Sequence, residues 1–228
     1  MQVQKTNIRS RILKVSEEMF LKKGYKGTSM RDVAKEAEIS LCNIYNYFEN
    51  KDRIYEKVLS PVLQKLDAMI EEHRNMDVQQ YMDRERLEAA DGQTLPDVIS
   101  RIMKQSEHFS ISRNIQQMVD LVEGNRDYLY LLLFNSTGSK YEHYKEDFTK
   151  RMTETMTEVM NRIEKEVPEF GRGMRLHMSS FFIHVNTNYF FAVLEELVLH
   201  NMEGPERDRF IEEYVVYSTG GFEAILRR

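Results

Sequence analysis

The chain has 228 residues, 30% of them charged and 41% hydrophobic, and a net charge of −5. That length allows one large or two modest domains with a true core, and the lack of any run of about 18 apolar residues argues against a membrane span. The single cysteine, Cys42, excludes an internal disulfide and fits a reducing compartment, while four prolines among many Leu, Met, Glu, Lys and Arg point to an all-α fold. The N-terminus, MQVQKTNIRSRILK, is charged and has no apolar core of the secretory kind, so a cytoplasmic protein is expected. The charge is uneven. Residues 1–57 hold twelve Lys/Arg against eight Asp/Glu, a balance of +4, which leaves −9 for the rest. A basic head on an acidic body suits a head that meets phosphates, although the same pattern also arises by chance along a charged helical chain.

The first expected element is an amphipathic helix over residues 6–23, with Ile8, Ile12, Val15, Met19 and Phe20 on one face and Gly24 as its stop. Ser29, with Asp32 three residues on, reads as a capping-box start for a second helix. That helix carries Met30, Val33, Ala34 and Ala37 at the spacing of one buried face. Ser40 caps a third, with Leu41, Ile44, Tyr45 and Phe48 inward, and Asn50 caps a fourth from Lys51 to about His73. Two short helices joined by Glu38–Ile39–Ser40 suit a helix-turn-helix, whose second helix enters the major groove of DNA. The first residues of such a helix face base edges. That nominates Leu41, Cys42, Asn43 and Asn46, with Asn able to pair with adenine and Cys42 small enough to lie against a thymine methyl. Ile44 and Phe48 read as core. For Tyr45 two readings stand, a groove-side residue or a ring half-packed in the core.

The string T-S-M-x-x-V-A-x-x-A-x-I-S-x-x-x-I-Y-x-Y-F-x-x-K follows a basic helix ending in Gly-Tyr-x-Gly-Thr. It resembles the DNA-binding head of the TetR family of bacterial repressors, over roughly residues 6–57. The resemblance implies that Thr28, Tyr45, Tyr47 and Lys51 hold phosphates, and the caps Ser29 and Ser40 join the expected DNA-binding set. It also implies a fourth helix that links the head, residues 1–57, to a ligand-binding and dimerisation body, residues 74–228. Pro61 lies inside that linking helix, so a kink near Lys57–Pro61 is expected, acting either as a pivot or as a simple bend around the core. Two positions depart from the family. Glu38 stands where Gly is common in a left-handed turn, at a strain of about 1 kcal/mol. Cys42 stands where Gly is common on the groove face, and a thiol at a helix start leaves a redox role open.

Residues 74–94 are polar and poorly patterned, as a loop or a loosely packed helix. Beyond them, Val98, Ile102, Phe109, Met118, Val119 and Val122 form helical stripes closed by Gly124. Tyr128–Phe134 (YLYLLLF) is apolar all round and reads as a short buried helix. Residues 141–167, 171–202 and 205–226 give three more helices. The 171–202 segment is apolar around its whole circumference and should be buried on more than one side. By the resemblance, the last two helices pair with their copies in a homodimer, which sets two heads on two half-sites of a near-palindromic operator.

A ligand cavity has apolar walls and a few placed polar groups. The candidates are Met103, Phe109, Met118, Tyr128, Phe134, Tyr144, Phe148, Met152, His177, Phe181, His184 and Asn188, each of which reads equally as ordinary core. His177 and His184 lack a carboxylate or cysteine to complete a metal set, so neither metal nor other cofactor is expected. Glu196 and His200 approach a carboxylate–histidine pair with no second copy, and with no phosphate loop or nucleophile motif present an enzyme is not expected. The expectation is a repressor that binds double-stranded operator DNA and is released by a small apolar or aromatic effector. The alternative is the same fold controlled by a protein partner or by no ligand.

Overall fold

The computed structural model describes residues 2–77, 111–166 and 179–226. Among them every regular element is a helix: α1 (Gln2–Lys23), α2 (Met30–Glu36), α3 (Leu41–Ile44), α4 (Lys51–Arg74), α5 (Ile111–Phe134), α6 (Tyr144–Glu166), α7 (Ser180–His200) and α8 (Gly204–Leu226). The chain falls into two compact units, Met1–Asp67 with Gly124–Asp147, and Ala68–Glu123 with Phe148–Arg228. The stripes placed at Val98, Ile102 and Phe109 lie outside the described residues.

The first unit is built on α1 and α4. α1 buries Ile12, Ser16 and Phe20 and stops at Gly24, whose φ of 68° lies in the left-handed region that glycine enters freely. Gly27 is forced for another reason, since a Cβ there would meet the Lys23 carbonyl oxygen at 2.3 Å. α4 turns Ile54, Tyr55, Val58, Leu59, Val62 and Leu66 inward. Tyr55 is the hub. Its ring meets Phe20 edge-on at 4.8 Å and Tyr25 at 5.0 Å, and its hydroxyl donates to the Leu131 carbonyl at 2.7 Å. Residues 124–147 thus join this unit from far along the chain. Tyr25 N–H donates to the Asn135 carbonyl at 2.9 Å, and the Lys140 ammonium pairs with Glu56 at 2.9 Å.

α4 passes through Pro61 as one helix. Proline has no N–H for the carbonyl four residues back, that of Lys57. The Ser60 hydroxyl donates to that carbonyl at 2.9 Å and takes the missing partner's place.

Two expectations are corrected. The third helix stops at Ile44 rather than running to Phe48. Asn46 and Tyr47 donate three residues back, to Asn43 and Ile44, so the chain tightens into turns where Asn and Tyr favour helix poorly. Tyr128–Phe134 is not a separate helix but the end of α5, which kinks at Asn125 (φ −146°, ψ 23°), one residue past the expected stop at Gly124. Nor is it buried all round, because Tyr130 is 38% exposed on the outer face. The α7 helix is buried on one side within this chain, by Ile183, Thr187, Phe191, Leu194 and Val198, while Phe181, Val185, Tyr189 and Leu199 are exposed.

The second unit packs Ile115, Met118, Val119 and Val122 of α5, Phe148 and Val159 of α6, and the inner face of α7. Phe148 meets Phe191 edge-on at 5.1 Å and stacks on Phe190 at 6.2 Å. The Arg162 guanidinium caps the end of α4, donating to the carbonyls of Arg74 at 3.0 Å and Met76 at 3.3 Å. No described helix is long and apolar enough to cross a membrane.

Candidate nucleic-acid interface

A four-residue helix does not stand alone, because helix nucleation costs more than a single turn returns. α3 is held by its surroundings. Ile44 is fully buried and Phe48 is 5% exposed, each contributing roughly 1.5–3 kcal/mol of apolar burial. The Ser40 hydroxyl accepts from Asn43 N–H at 3.2 Å as N-cap. α2 begins with a full capping box: Asp32 N–H donates to Ser29 Oγ at 3.1 Å, and Ser29 N–H donates to Asp32 Oδ2 at 3.3 Å. The Ser29 hydroxyl beside Asp32 holds its carboxyl below the ordinary carboxylate value.

The turn between α2 and α3 closes by two backbone bonds, Ile39 N–H to the Ala34 carbonyl at 3.0 Å and Glu38 N–H to Lys35 at 3.1 Å. This is a Schellman ending with Glu38 in the left-handed position, at φ 52°. The expected departure from glycine therefore carries its backbone strain.

The outward side of this element holds most of the expected groove residues. Cys42, Tyr45 and Asn46 are exposed, and Leu41, Asn43 and Tyr47 are half-exposed. Tyr45, at 51% exposure, is a surface residue rather than half core. Ser29 and Ser40 are exposed and spend their hydroxyls on caps. Arg31 and Lys35 on α2, and Lys22, Lys23 and Lys26 at the end of α1, are exposed as well.

Thr28 and Lys51, expected on phosphates, have work inside the head. Thr28 is 1% exposed, and its hydroxyl donates to the Gly24 carbonyl at 2.9 Å. The Lys51 ammonium donates to the carbonyls of Tyr25 at 2.7 Å and Thr28 at 2.8 Å, and lies 3.8 Å from the Tyr25 ring centre. It ties the α1–α2 loop to the start of α4, and burial pulls its pKa down against the pull of Asp52. Tyr25, passed over in the sequence although it sits in the Gly-Tyr-x-Gly-Thr string, donates to Asp52 Oδ1 at 2.8 Å. Desolvation first, and then that carboxylate, raises its pKa. The Asn46 side chain donates to Asn43 Oδ1 at 3.3 Å, a link the separate nomination of the two residues did not contain.

The expected ligand-pocket residues fall in both units. Met103, Phe109 and His177 lie outside the described residues. Tyr144 is buried, and Tyr128 and Phe134 are half-buried, in the first unit. Met118 and Phe148 are buried, and Met152 and Asn188 half-buried, in the second. Phe181 is 74% exposed and His184 is exposed. The inner face of α7 follows Ile183, Thr187 and Phe191; the helical period turns residue 181 away from it and sets 184 at its edge. The Asn188 amide bonds the His184 ring at 3.1 Å. Among the described residues no group of three His, Cys, Asp or Glu is placed to hold a metal ion.

Two short capped helices, set at a tight turn with the second presenting an open polar face, make the head a helix-turn-helix DNA-binding domain. Residues 12–58 match the family described as bacterial regulatory proteins, tetR family. The HTH-type transcriptional regulator QacR of Staphylococcus aureus is 33% identical over 54 residues, which is 24% of this chain and 29% of that protein. The HTH-type transcriptional repressor DhaR of a Mycobacterium species is 29% identical over 66 residues, 29% of this chain and 33% of that one. The matched stretch thus spans a third or less of either relative. Two solved structures share the fold over nearly the whole length. The ketosteroid transcriptional regulator KstR2 of Mycobacterium tuberculosis aligns at TM-score 0.51 and 16% identity, covering 93% of both chains. NalD of Pseudomonas aeruginosa, the secondary repressor of a multidrug efflux pump, aligns at 0.52 and 14%, covering 92% of this chain and 93% of its own.

Proposed function

We propose that the whole chain is a cytoplasmic transcriptional repressor that binds a near-palindromic operator as a homodimer and leaves it when a small apolar or aromatic molecule enters the body. The observation that carries the DNA half of this reading is the open face Leu41–Tyr47, held outward by buried Ile44 and Phe48. The homodimer rests on the apolar side chains that α7 and α8 leave exposed, chiefly Phe181, Val216 and Tyr217, each more than 70% exposed. Large bare apolar surfaces of this kind are sites of association. A head of this size buries little surface, so pairing two heads on one operator also supplies affinity that one head lacks.

Release requires that the effector bind more tightly to a conformation whose two heads no longer match the two half-sites. The test is selection of bound sequences from random DNA by the purified protein, followed by binding to the selected site with and without apolar aromatic compounds. A paired-half-site operator bound at nanomolar strength, on the order of 10⁻⁸ M or tighter at physiological salt, and weakened by a compound that also raises the melting temperature, is the expected result. Failure to select any sequence overturns the DNA-binding reading. Binding that no compound changes overturns the effector reading and favours control by a protein partner.

A further inference from the structure

The outward side of the recognition element carries no charge. Among Leu41, Cys42, Asn43, Tyr45, Asn46 and Tyr47 there is no Arg, Lys, Asp or Glu, and the first turn of α3 has neither an acidic nor a basic residue. Each base pair asks for a different partner in the major groove. Guanine offers two acceptors, N7 and O6, and is read by Arg or Lys. Cytosine offers an amino donor and is read by Asp or Glu. Neither kind of reader is on this face. Adenine offers one acceptor and one donor, which suit a carboxamide, and thymine offers a methyl, which suits an apolar side chain. The face has two carboxamides, Asn43 and Asn46, and the apolar Leu41 beside the small Cys42.

The two carboxamides are also joined. The Asn46 amide nitrogen donates to Asn43 Oδ1 at 3.3 Å, and Ser40 Oγ fixes the Asn43 backbone N–H at 3.2 Å. This bond takes one N–H of Asn46 and one lone pair of Asn43 Oδ1. Asn43 keeps an amide N–H to donate, and Asn46 keeps its carbonyl oxygen to accept. Donor and acceptor then stand side by side on one turn, the complement of adenine N7 and N6.

We propose that the base pairs under α3 are A·T, with adenine read jointly by the Asn43 amide and the Asn46 carbonyl, and the thymine methyl packed on Leu41 and Cys42. The inference rests on the DNA-binding reading and adds the chemical class of the half-site. Guanine in the same place sets its O6 acceptor against the Asn46 carbonyl oxygen, two acceptors facing each other, and this repulsion rejects G·C as actively as the pairing selects A·T. The exposed cations Arg31 and Lys35 lie on α2, the helix that crosses the DNA backbone, and serve phosphates. The nearest acidic residues, Glu38 in the turn and Glu49 beyond Phe48, flank the face and lie outside it.

The test is sequence selection from random DNA by the full chain and by its Asn43→Ala and Asn46→Ala variants. Both residues are on the surface, and equal melting temperatures establish that the variants fold. The positions whose preference relaxes in either variant are the base pairs under α3. A·T at those positions is expected, with both variants relaxing the same pair. G·C at those positions, or variants that relax none, overturns the proposal. A second arm replaces thymidine by deoxyuridine in the selected site, which removes only the methyl. Binding about four-fold weaker for each methyl in contact is expected, and unchanged binding overturns the thymine contact. A wild-type chain that selects no sequence fails the DNA-binding reading itself, whereas a well-defined G·C site keeps that reading and fails this one.

Discussion

Glu38 holds a left-handed backbone that a glycine adopts without strain. Glu38→Gly should therefore raise stability by about 1 kcal/mol, seen as a melting temperature higher by about 2–4 °C with operator affinity retained. A lower melting temperature would mean that the glutamate side chain makes a contact worth more than the strain. Lys51 gives the opposite case. Lys51→Ala removes two charge-assisted hydrogen bonds to carbonyls and should cost about 1–3 kcal/mol of stability. If Lys51 also reaches a phosphate, the salt dependence of operator binding falls by about one unit of slope. Lower stability with an unchanged slope assigns it to the head's interior alone. The carboxyls of Asp32 and Glu56 set a pH dependence. Both are held below their ordinary values, Asp32 by the Ser29 hydroxyl and Glu56 by its hydrogen bonds to Lys140 and then Arg53. They bind protons less readily folded than unfolded, so their stabilisation is full above the ordinary carboxylate range and is lost as pH falls through it. Melting curves from pH 7 down to pH ~3 should show that fall, and Glu56→Gln should make it shallower.

At the scale of elements, α4 tests the meaning of Pro61. A proline inside a helix costs about 3 kcal/mol, part of which the Ser60 hydroxyl offsets by bonding the Lys57 carbonyl. Pro61→Ala should raise stability by roughly 1–3 kcal/mol. If the proline is a pivot, that variant should also keep its operator in the presence of effector, whereas a simple bend leaves release unchanged. What could be read from the sequence follows the reach of its contacts. The caps at Ser29, Ser40 and Asn50 bond three residues on, and the inward faces of α2 and α4 follow a spacing of three and four residues, so the sequence shows both directly. The left-handed turn at Glu38 was visible only through the family resemblance. The bond from Tyr55 to Leu131 spans 76 residues and that from Lys140 to Asp52 spans 88. No local pattern announces such pairs, so Tyr25 and Tyr55 looked like ordinary aromatics. The inner face of α7 was hidden for a related reason. Apolar spacing around α7 gave several candidate faces, and only the packing of Phe148 on Phe190 and Phe191 selects one.

At the scale of the molecule, the proposed homodimer makes operator binding by two heads depend on α7 and α8. Replacing Val216 and Tyr217 with Glu and Ser should convert a dimer to a monomer in sedimentation, and operator affinity should fall by orders of magnitude, since each head then binds alone. A variant that stays dimeric would move the interface elsewhere. The discontinuous first unit bears on how heads are exchanged between relatives. Residues 1–67 contain Tyr25, Asp52, Tyr55 and Glu56, but their partners Asn135, Leu131 and Lys140 lie in the 124–147 segment. A head cut out after α4 is one half of a lock without its key. A chimaera that moves residues 1–67 alone should therefore melt below one that carries 124–147 with it. In this chain a new groove face would come with a socket that only a compatible distant segment fills.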